Sequence, residues 1–157
     1  MQNQNRYFRK KNIIMDIALV GYGRMGHEIE AIAIKRGHVI KLIVDEDNTN
    51  DLTETKLKGI DVAIEFSLPA AASNNIIKCL EEKIPVVSGT TGWLDDYNHV
   101  VEICKKNKVK CSICGQAPSV YPEVTKSLIE WGMTSISVNP DVIIKTRELV
   151  AKVEKKI

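Results

Sequence analysis

Ile17-Ala18-Leu19-Val20-Gly21-Tyr22-Gly23-Arg24-Met25-Gly26 is the stretch on which the fold of this chain turns. A short apolar run, Asp16 to Val20, stops at a glycine, and the glycines that follow are spaced GxGxxG. Arg24 to Arg36 then sets Met25, Ile29, Ile32 and Ala33 on one helical face, and Gly37 closes the helix. Val39 to Val44 is nearly continuous in branched residues, as a strand buried on both faces should be, and Asp45 follows it. Three glycines at this spacing are a weak signal alone. Strand, glycine turn, helix, second strand and acid in one register make it specific.

That register points to a dinucleotide-binding loop. Gly21 permits the tight turn, Gly23 lets a pyrophosphate approach the backbone, and Gly26 lets helix and strand pack closely. The N–H groups that open the helix, with its dipole, then hold the phosphates. Asp45 stands 22 residues after Gly23, where its carboxylate can accept hydrogen bonds from ribose hydroxyls. Glu46 and Asp47 follow at once, with no arginine beside them. A 2′-phosphate would meet several negative charges there, so NAD is expected in preference to NADP.

The rest of the chain keeps alternating strand and helix. Residues 46–59 are polar and acidic, a loop where a full crossover helix would have been expected. Ile60 to Phe66 reads as a third strand, and Pro69 stands in the first turn of a helix that runs to about Glu82, where a missing N–H costs nothing. Pro85 to Ser88 is a fourth strand ending in Gly89-Thr90-Thr91-Gly92. Leu94 to Asn107 reads as helix, Val109 to Ile113 as strand, Pro122 to Glu130 as helix, Thr134 to Val138 as strand and Asp141 to Lys155 as helix. The expectation is therefore an α/β fold, a doubly wound parallel sheet of about six strands (Rossmann-like) in a single domain over residues 15–157. The usual order 3-2-1-4-5-6 would put Val109 to Ile113 beside Pro85 to Ser88, with Thr134 to Val138 at the edge.

Composition narrows the function classes. The 157 residues are 44% apolar and 27% charged, values of an ordinary globular protein with room for one sizeable core. No apolar run approaches the ~20 residues that cross a bilayer, so no membrane partner is expected and a cytoplasmic location is. The net charge is +2, and Arg6, Arg9, Lys10 and Lys11 stand in residues 1–14 without an acid, which leaves the remainder net negative. That start is read as a flexible basic extension, with neither the apolar core nor the cleavage site of a secretion signal. Without a supporting basic domain it does not suggest nucleic-acid binding.

The four cysteines suggest reduced thiols, not a disulfide framework. Cys111 and Cys114 are spaced CxxC, but positions three apart on a strand point to opposite faces. With Cys79 and Cys104 on helices, no metal site is expected.

Three segments carry a family resemblance: IALVGYGRMG at 17–26, DVAIEFSLP at 61–69 and IPVVSGTTGW at 84–93. From Met15 to about Asn107 the chain resembles the nucleotide-binding half of 4-hydroxy-tetrahydrodipicolinate reductase (dihydrodipicolinate reductase). The resemblance implies that Gly23, Arg24 and Met25 line the pyrophosphate and that Asp45 reads the adenosine ribose. It also implies that Phe66, Ser67, Gly89, Thr90 and Thr91 lie along the nicotinamide end. That family reduces its substrate with hydride from NADH or NADPH on the way to lysine. Ser67 and the Gly89–Gly92 turn stand at the carboxyl ends of their strands, where ligands bind in open parallel sheets.

The family completes its site with a substrate domain bearing a histidine-rich segment, a catalytic lysine and a glycine-threonine anion site. Here the histidines are His27, His38 and His99, and nothing after Lys108 resembles that domain. Instead, Cys114-Gly115-Gln116-Ala117-Pro118-Ser119 and Ser135-Ile136-Ser137-Val138-Asn139-Pro140-Asp141 resemble the extreme C-terminus of phosphoenolpyruvate synthase, the last two strand–helix units of a (βα)₈ barrel. That resemblance implies that Cys114 matches the thiol that protonates the pyruvate enolate. The magnesium-binding acids and phosphate-binding arginines of that family come from earlier barrel strands, so Cys114 is read as structural and no residue is assigned a catalytic role. The expected function is dinucleotide binding without a complete catalytic site. The alternatives are a reductase completed by another chain, a chimeric fold without biological function, or a phosphoenolpyruvate-handling fragment. The homo-oligomeric state stays open.

Overall fold

In the computed structural model, which describes residues 13–114 and 116–156, the apolar run at the start of the motif forms β1 (Asp16–Val20). The chain continues through α1 (Arg24–Lys35), β2 (Val39–Val44), a 3₁₀ turn (Glu46–Asp51), α2 (Glu54–Leu57), β3 (Val62–Glu65), α3 (Pro69–Glu81) and β4 (Val86–Ser88). After a second 3₁₀ turn (Leu94–Asp96) come α4 (Tyr97–Lys106), β5 (Ser112–Cys114), α5 (Ala117–Val120), α6 (Pro122–Glu130), β6 (Ser135–Ser137), a third 3₁₀ turn (Pro140–Val142) and α7 (Ile143–Glu154). Among the described residues there are six strands and every strand pairing is parallel, so the α/β class expected from the sequence is present. The basic residues assigned to an extension, Arg6 to Lys11, lie outside the described residues.

The chain divides into two compact units, one ending at Thr91 and the other beginning at Gly92. The first holds a four-stranded sheet in the order β2-β1-β3-β4. Helices cover both of its faces. Ile17 and Leu19 turn toward α1, where Ala33 and Ile29 meet them with Ile43, Val62 and Ile64. Ala18, Val20, Leu42, Val44 and Ala63 turn the other way, onto Leu57 of α2 and Cys79 of α3, joined by Leu52 and Ile60. That is the doubly wound arrangement. Alternation along each strand decides which side chain goes to which layer.

The strand order departs from 3-2-1-4-5-6, and the polar segment 46–59 explains why. It holds a 3₁₀ turn and one short helix but no strand, so nothing can pair on the outer side of β2. The chain passes directly back across β1, and β3 pairs with β1 through Ile17↔Val62 to Val20↔Glu65. The order is the familiar one with its third strand left out, and the reversal of direction falls between β1 and β3.

The expected neighbours of β4 also differ. Val109 to Ile113 does not pair with Pro85 to Ser88; β5 starts at Ser112 and pairs with β6 in a separate two-stranded sheet, Ser112↔Ser135 to Cys114↔Ser137. β4 and β5 are only three residues long each, which gives little ladder for an added pairing. The second unit builds its own core instead, from Tyr97 and Val101 of α4, Leu128 of α6, and Trp93, Ile113, Val124, Met133 and Ile136 around them. Buried Thr125 donates its hydroxyl to the Pro118 carbonyl at 3.0 Å, tying α6 to α5. Among the described residues no helix is long and apolar enough to cross a membrane.

Candidate functional site

In open α/β sheets ligands gather at the carboxyl ends of the strands where the order reverses. Here that place lies outside β1 and β3, and a cavity of about 180 Å³ occupies it. Gly21, Tyr22 and Gly23 line it from the end of β1, Asp45 and Glu46 from the end of β2, Phe66 and Ser67 from the end of β3, and Ala71 and Asn75 from α3.

The three glycines stand on different physical grounds. Gly21 has φ +93°, and its N–H donates to the Val44 carbonyl at 2.7 Å. A Cβ there would lie 2.3 Å from the carbonyl oxygen of Phe66, so backbone conformation and space both require glycine. At Gly26 a Cβ would come within 2.6 Å of the Gly21 carbonyl oxygen, the close packing of α1 on the loop that the motif predicts. Gly23 has φ −76°, and a Cβ there would meet nothing within 4 Å. The fold does not demand glycine at position 23.

Gly23 is the N-cap of α1 and supplies no side-chain cap, and the first turn carries no acid. Its open N–H groups and the positive end of the dipole therefore stay available to an anion. Arg24 and Met25 begin the helix with exposed side chains. The Tyr22 ring lies 4.0 Å from that of His27, and its hydroxyl bonds the Glu30 carboxylate, which together hold the loop against α1.

Asp45 is exposed at the end of β2, as expected, and is held in place from two sides. Its Oδ1 accepts from the Tyr22 N–H at 3.3 Å, and it forms a reciprocal cap with Asn48, whose Oδ1 accepts the Asp45 N–H at 2.6 Å. A carboxylate has about four acceptor positions, so capacity for a diol remains. Glu46 and Asp47 beside it are exposed.

At the other end, the Phe66 ring covers Gly89, where a Cβ would lie 2.0 Å from the ring. Ser67 and Thr90 are half-buried and Thr91 is exposed. The cavity thus gathers Gly21, Gly23, Asp45, Phe66 and Ser67; Gly89 touches Phe66 and Thr90 touches Ser67 without lining it, and Thr91 is not among its lining residues.

Sequence reasoning passes over Glu65, which ends β3 fully buried. Its Oε1 accepts the Ser67 N–H at 2.8 Å, the Ser67 hydroxyl at 2.5 Å and the Thr90 hydroxyl at 2.9 Å, and its Oε2 accepts the Ser88 hydroxyl. Asn75, also buried, donates to the Ser67 hydroxyl oxygen at 3.2 Å. The signal available in the sequence was an acid inside the apolar run Val62 to Phe66 with hydroxyl residues at 67, 88 and 90.

In the second unit Cys114 is exposed at the end of β5 and Cys111 is half-buried just before that strand. Cys79 and Cys104 are buried, and burial pushes both thiols up to about 12. Among the described residues no group of three or more His, Cys, Asp or Glu could hold a metal. A second cavity, of about 440 Å³, lies between β6, α6 and α7 and is lined by Ile129, Met133, Ile143 and Arg147 among others.

Comparison with known proteins finds two families, whose matches overlap over residues 90–116. The family described as dihydrodipicolinate reductase, N-terminus, matches residues 15–116, and the family described as PEP-utilising enzyme, PEP-binding domain, matches residues 90–155. A 4-hydroxy-tetrahydrodipicolinate reductase of Christiangramia forsetii is 57% identical over 93 residues, which are 59% of this chain and 38% of that protein. A phosphoenolpyruvate synthase of Helicobacter pylori is 52% identical over 61 residues, 39% of this chain and 8% of the synthase. The chain thus spans well under half the length of either relative. Among solved structures, the WlbA dehydrogenase from Bordetella pertussis in complex with NADH and UDP-GlcNAcA matches with a TM-score of 0.47 and 18% identity, over 76% of this chain and 43% of that one.

Proposed function

The chain belongs to the dihydrodipicolinate reductase N-terminal family, and from that premise we propose that its first unit binds a nicotinamide dinucleotide across the β1–β3 crevice. The observation that carries this reading is Gly23. Gly21 and Gly26 are accounted for by backbone conformation and packing, whereas nothing in the fold crowds Gly23. A pyrophosphate lying against the backbone at the mouth of α1 gives that glycine its reason. Asp45 then takes the adenosine ribose hydroxyls. Its acidic neighbours Glu46 and Asp47 repel a 2′-phosphate, so NAD is preferred to NADP. Arg24 and Met25 flank the pyrophosphate. Phe66, Ser67, Gly89, Thr90 and Thr91 stand at the nicotinamide end. The protein works in the cytoplasm, with a family link to lysine biosynthesis.

These 157 residues bind the cofactor without completing a reductase site. Residues 90–155 match a PEP-binding family instead of supplying acid–base groups for a reductase, and no histidine follows His99. Proton donation and substrate positioning together supply many orders of magnitude in rate. Cys114 stands exposed on a two-stranded sheet, and among the described residues no group of three or more His, Cys, Asp or Glu stands ready to hold the metal that the synthase chemistry uses.

Fluorescence titration tests the binding claim. NADH saturates the protein at lower concentration than NADPH, and Asp45→Ala weakens NADH by about tenfold, the worth of a charged hydrogen-bonding pair, while affecting NADPH less. Gly23→Val removes binding of both while the protein still unfolds cooperatively, with only the small loss of melting temperature that a poorer N-cap brings. Equal affinity for the two cofactors overturns the NAD preference, and absence of binding overturns the whole reading. NADH oxidation that saturates with dihydrodipicolinate would refute the claim of an incomplete site.

A further inference from the structure

A buried amide ordinarily has partners for both its oxygen and its nitrogen, and Asn75 has one for its nitrogen alone. The residue is 8% exposed and lines the crevice cavity from α3. Its side-chain bond to the described residues runs from Nδ2 to the Ser67 hydroxyl oxygen at 3.2 Å. Which way round the amide sits is fixed from behind. The Ser67 hydroxyl has two other polar neighbours, Glu65 Oε1 at 2.5 Å and the Leu68 carbonyl oxygen at 3.4 Å. Both are acceptors, and Glu65 Oε1 already takes the Ser67 N–H at 2.8 Å. Ser67 therefore gives its proton away from Asn75 and must accept from Nδ2. A flipped amide would set Oδ1 against a lone pair. Oδ1 is thus an acceptor without a protein donor. Among the described residues no sealed side-chain oxygen or nitrogen lacks a partner, so Oδ1 is not shut in the core but reaches the cavity that its residue lines.

The other walls of the cavity say what lies in front of that oxygen. Asp45, Glu46 and Thr49 line it from the β2 side and Leu68, Ala71 and Asn75 from the α3 side, whereas Gly89, Thr90 and Thr91 do not line it. On the dinucleotide reading above, in which Asp45 takes the adenosine ribose, this compartment belongs to the adenosine, and Ser67 stands at its border with the nicotinamide end. A base carried on that ribose finds apolar surface in Leu68 and Ala71. Resting on that reading, we propose that Asn75 is the base-reading residue of the site, its Oδ1 accepting from the 6-amino group of adenine. The second N–H of the amide serves the neighbouring ring nitrogen, the pairing by which an amide matches a donor beside an acceptor. A purine with an oxygen at position 6 would set that oxygen against Oδ1. The amide cannot turn to suit it, because Glu65 and Ser67 hold its other edge. These two are positioning residues that act through Asn75.

Two reduced dinucleotides that differ only at position 6 of the purine make the test: NADH, and its deamino analogue with hypoxanthine in place of adenine. Fluorescence titration of the full-length chain reads both. Wild type binds NADH tighter by about tenfold or more, the discrimination that one well-placed amide gives between bases. Asn75→Ala brings the two affinities to within about twofold of each other, mostly through loss of NADH binding. Ser67→Ala keeps Asn75 but removes the group that orients it, and the preference falls to an intermediate value. Ser67→Thr, which keeps the hydroxyl, restores the preference, an outcome that a merely structural role for Ser67 would not give. Equal binding of the two dinucleotides by wild type overturns the proposal and leaves the dinucleotide reading standing, as does an Asn75→Ala protein with its preference intact. Should Asn75→Ala fail to fold, the wild-type ratio and the Ser67 pair still decide: a preference that Ser67→Ala leaves unchanged means the amide is not oriented as proposed. If wild type binds neither ligand, the dinucleotide reading itself fails and takes this proposal with it.

Discussion

In β1 four successive residues, Ile17 to Val20, are buried, whereas in β5 and β6 the central isoleucine of each strand is half-buried between two exposed neighbours. Both sheets are parallel, and parallel strands ordinarily need cover on both faces. The first sheet has it, with α1 on one side and α2 and α3 on the other. In the second, Ile113 and Ile136 turn into the core around Tyr97 and Leu128, while Ser112, Cys114, Ser135 and Ser137 face away and stay exposed. Strand–helix alternation therefore announces a parallel unit but not how many of its faces are covered. Composition of the strand does that: ALV in one case, SIC and SIS in the other.

The widest separation between the sheets is expected in thiol chemistry. Cys79 faces the covered side of the first sheet and Cys114 the open side of the second. Burial holds the Cys79 thiol at about 12 against an ordinary 9.0, which leaves about a thousandfold less of the reactive thiolate at neutral pH. Cys104, also at about 12, is protected in the same way. Brief alkylation of native protein at pH 7.5, read by peptide mass spectrometry, should label Cys114 and spare Cys79 and Cys104. Labelling of Cys79 as fast as Cys114 would mean that the first sheet opens as readily as the second.

Core truncation gives the next largest contrast. Leu19 is 1% exposed between β1's two neighbours, and Leu19→Ala should cost about 3–5 kcal/mol, the upper part of the range for a leucine that leaves a cavity. Ile136 is only half-buried, so the surroundings can relax or admit water, and Ile136→Ala should cost about 1–2 kcal/mol. Urea unfolding of both variants measures the difference. Equal losses would break the comparison, because they would make the second core as tightly built as the first.

What the sequence made legible follows the same division. β1 and β2 end where their apolar runs end, because Gly21 and Asp45 each interrupt a strand with a residue of another physical kind. The glycine loop, Asp45 and Ser67 could be found because motif and local order are enough to place them. Strand order could not be read so directly: it depends on the side of β1 to which the chain returns, and the absence of a strand in 46–59 is a long-range fact. Glu65 was hidden for a related reason. An acid in a strand reads as exposed until its three hydroxyl partners, two of them more than twenty residues away, are seen to fold around it.

The smallest contrast comes from adding bulk, and it tests the faces most directly. Ala63 in β3 is fully buried against Cys79 and Leu57, whereas Ser137 in β6 is exposed. Each is replaced by valine, which favours strands and is branched at Cβ. At Ala63 two extra methyl groups must displace packed atoms on the α3 side, since interiors already fill space like crystals. Ala63→Val should therefore lose about 1–3 kcal/mol. At Ser137 the side chain is exposed and lines the open cavity toward α7, so two methyl groups meet no packed atoms, and Ser137→Val should stay within about 0.5 kcal/mol of wild type. Thermal unfolding of the pair reads the outcome. A loss at Ser137 comparable to that at Ala63 would mean that the second face is covered in solution, and the difference between the two sheets would then be one of packing partner, not of burial.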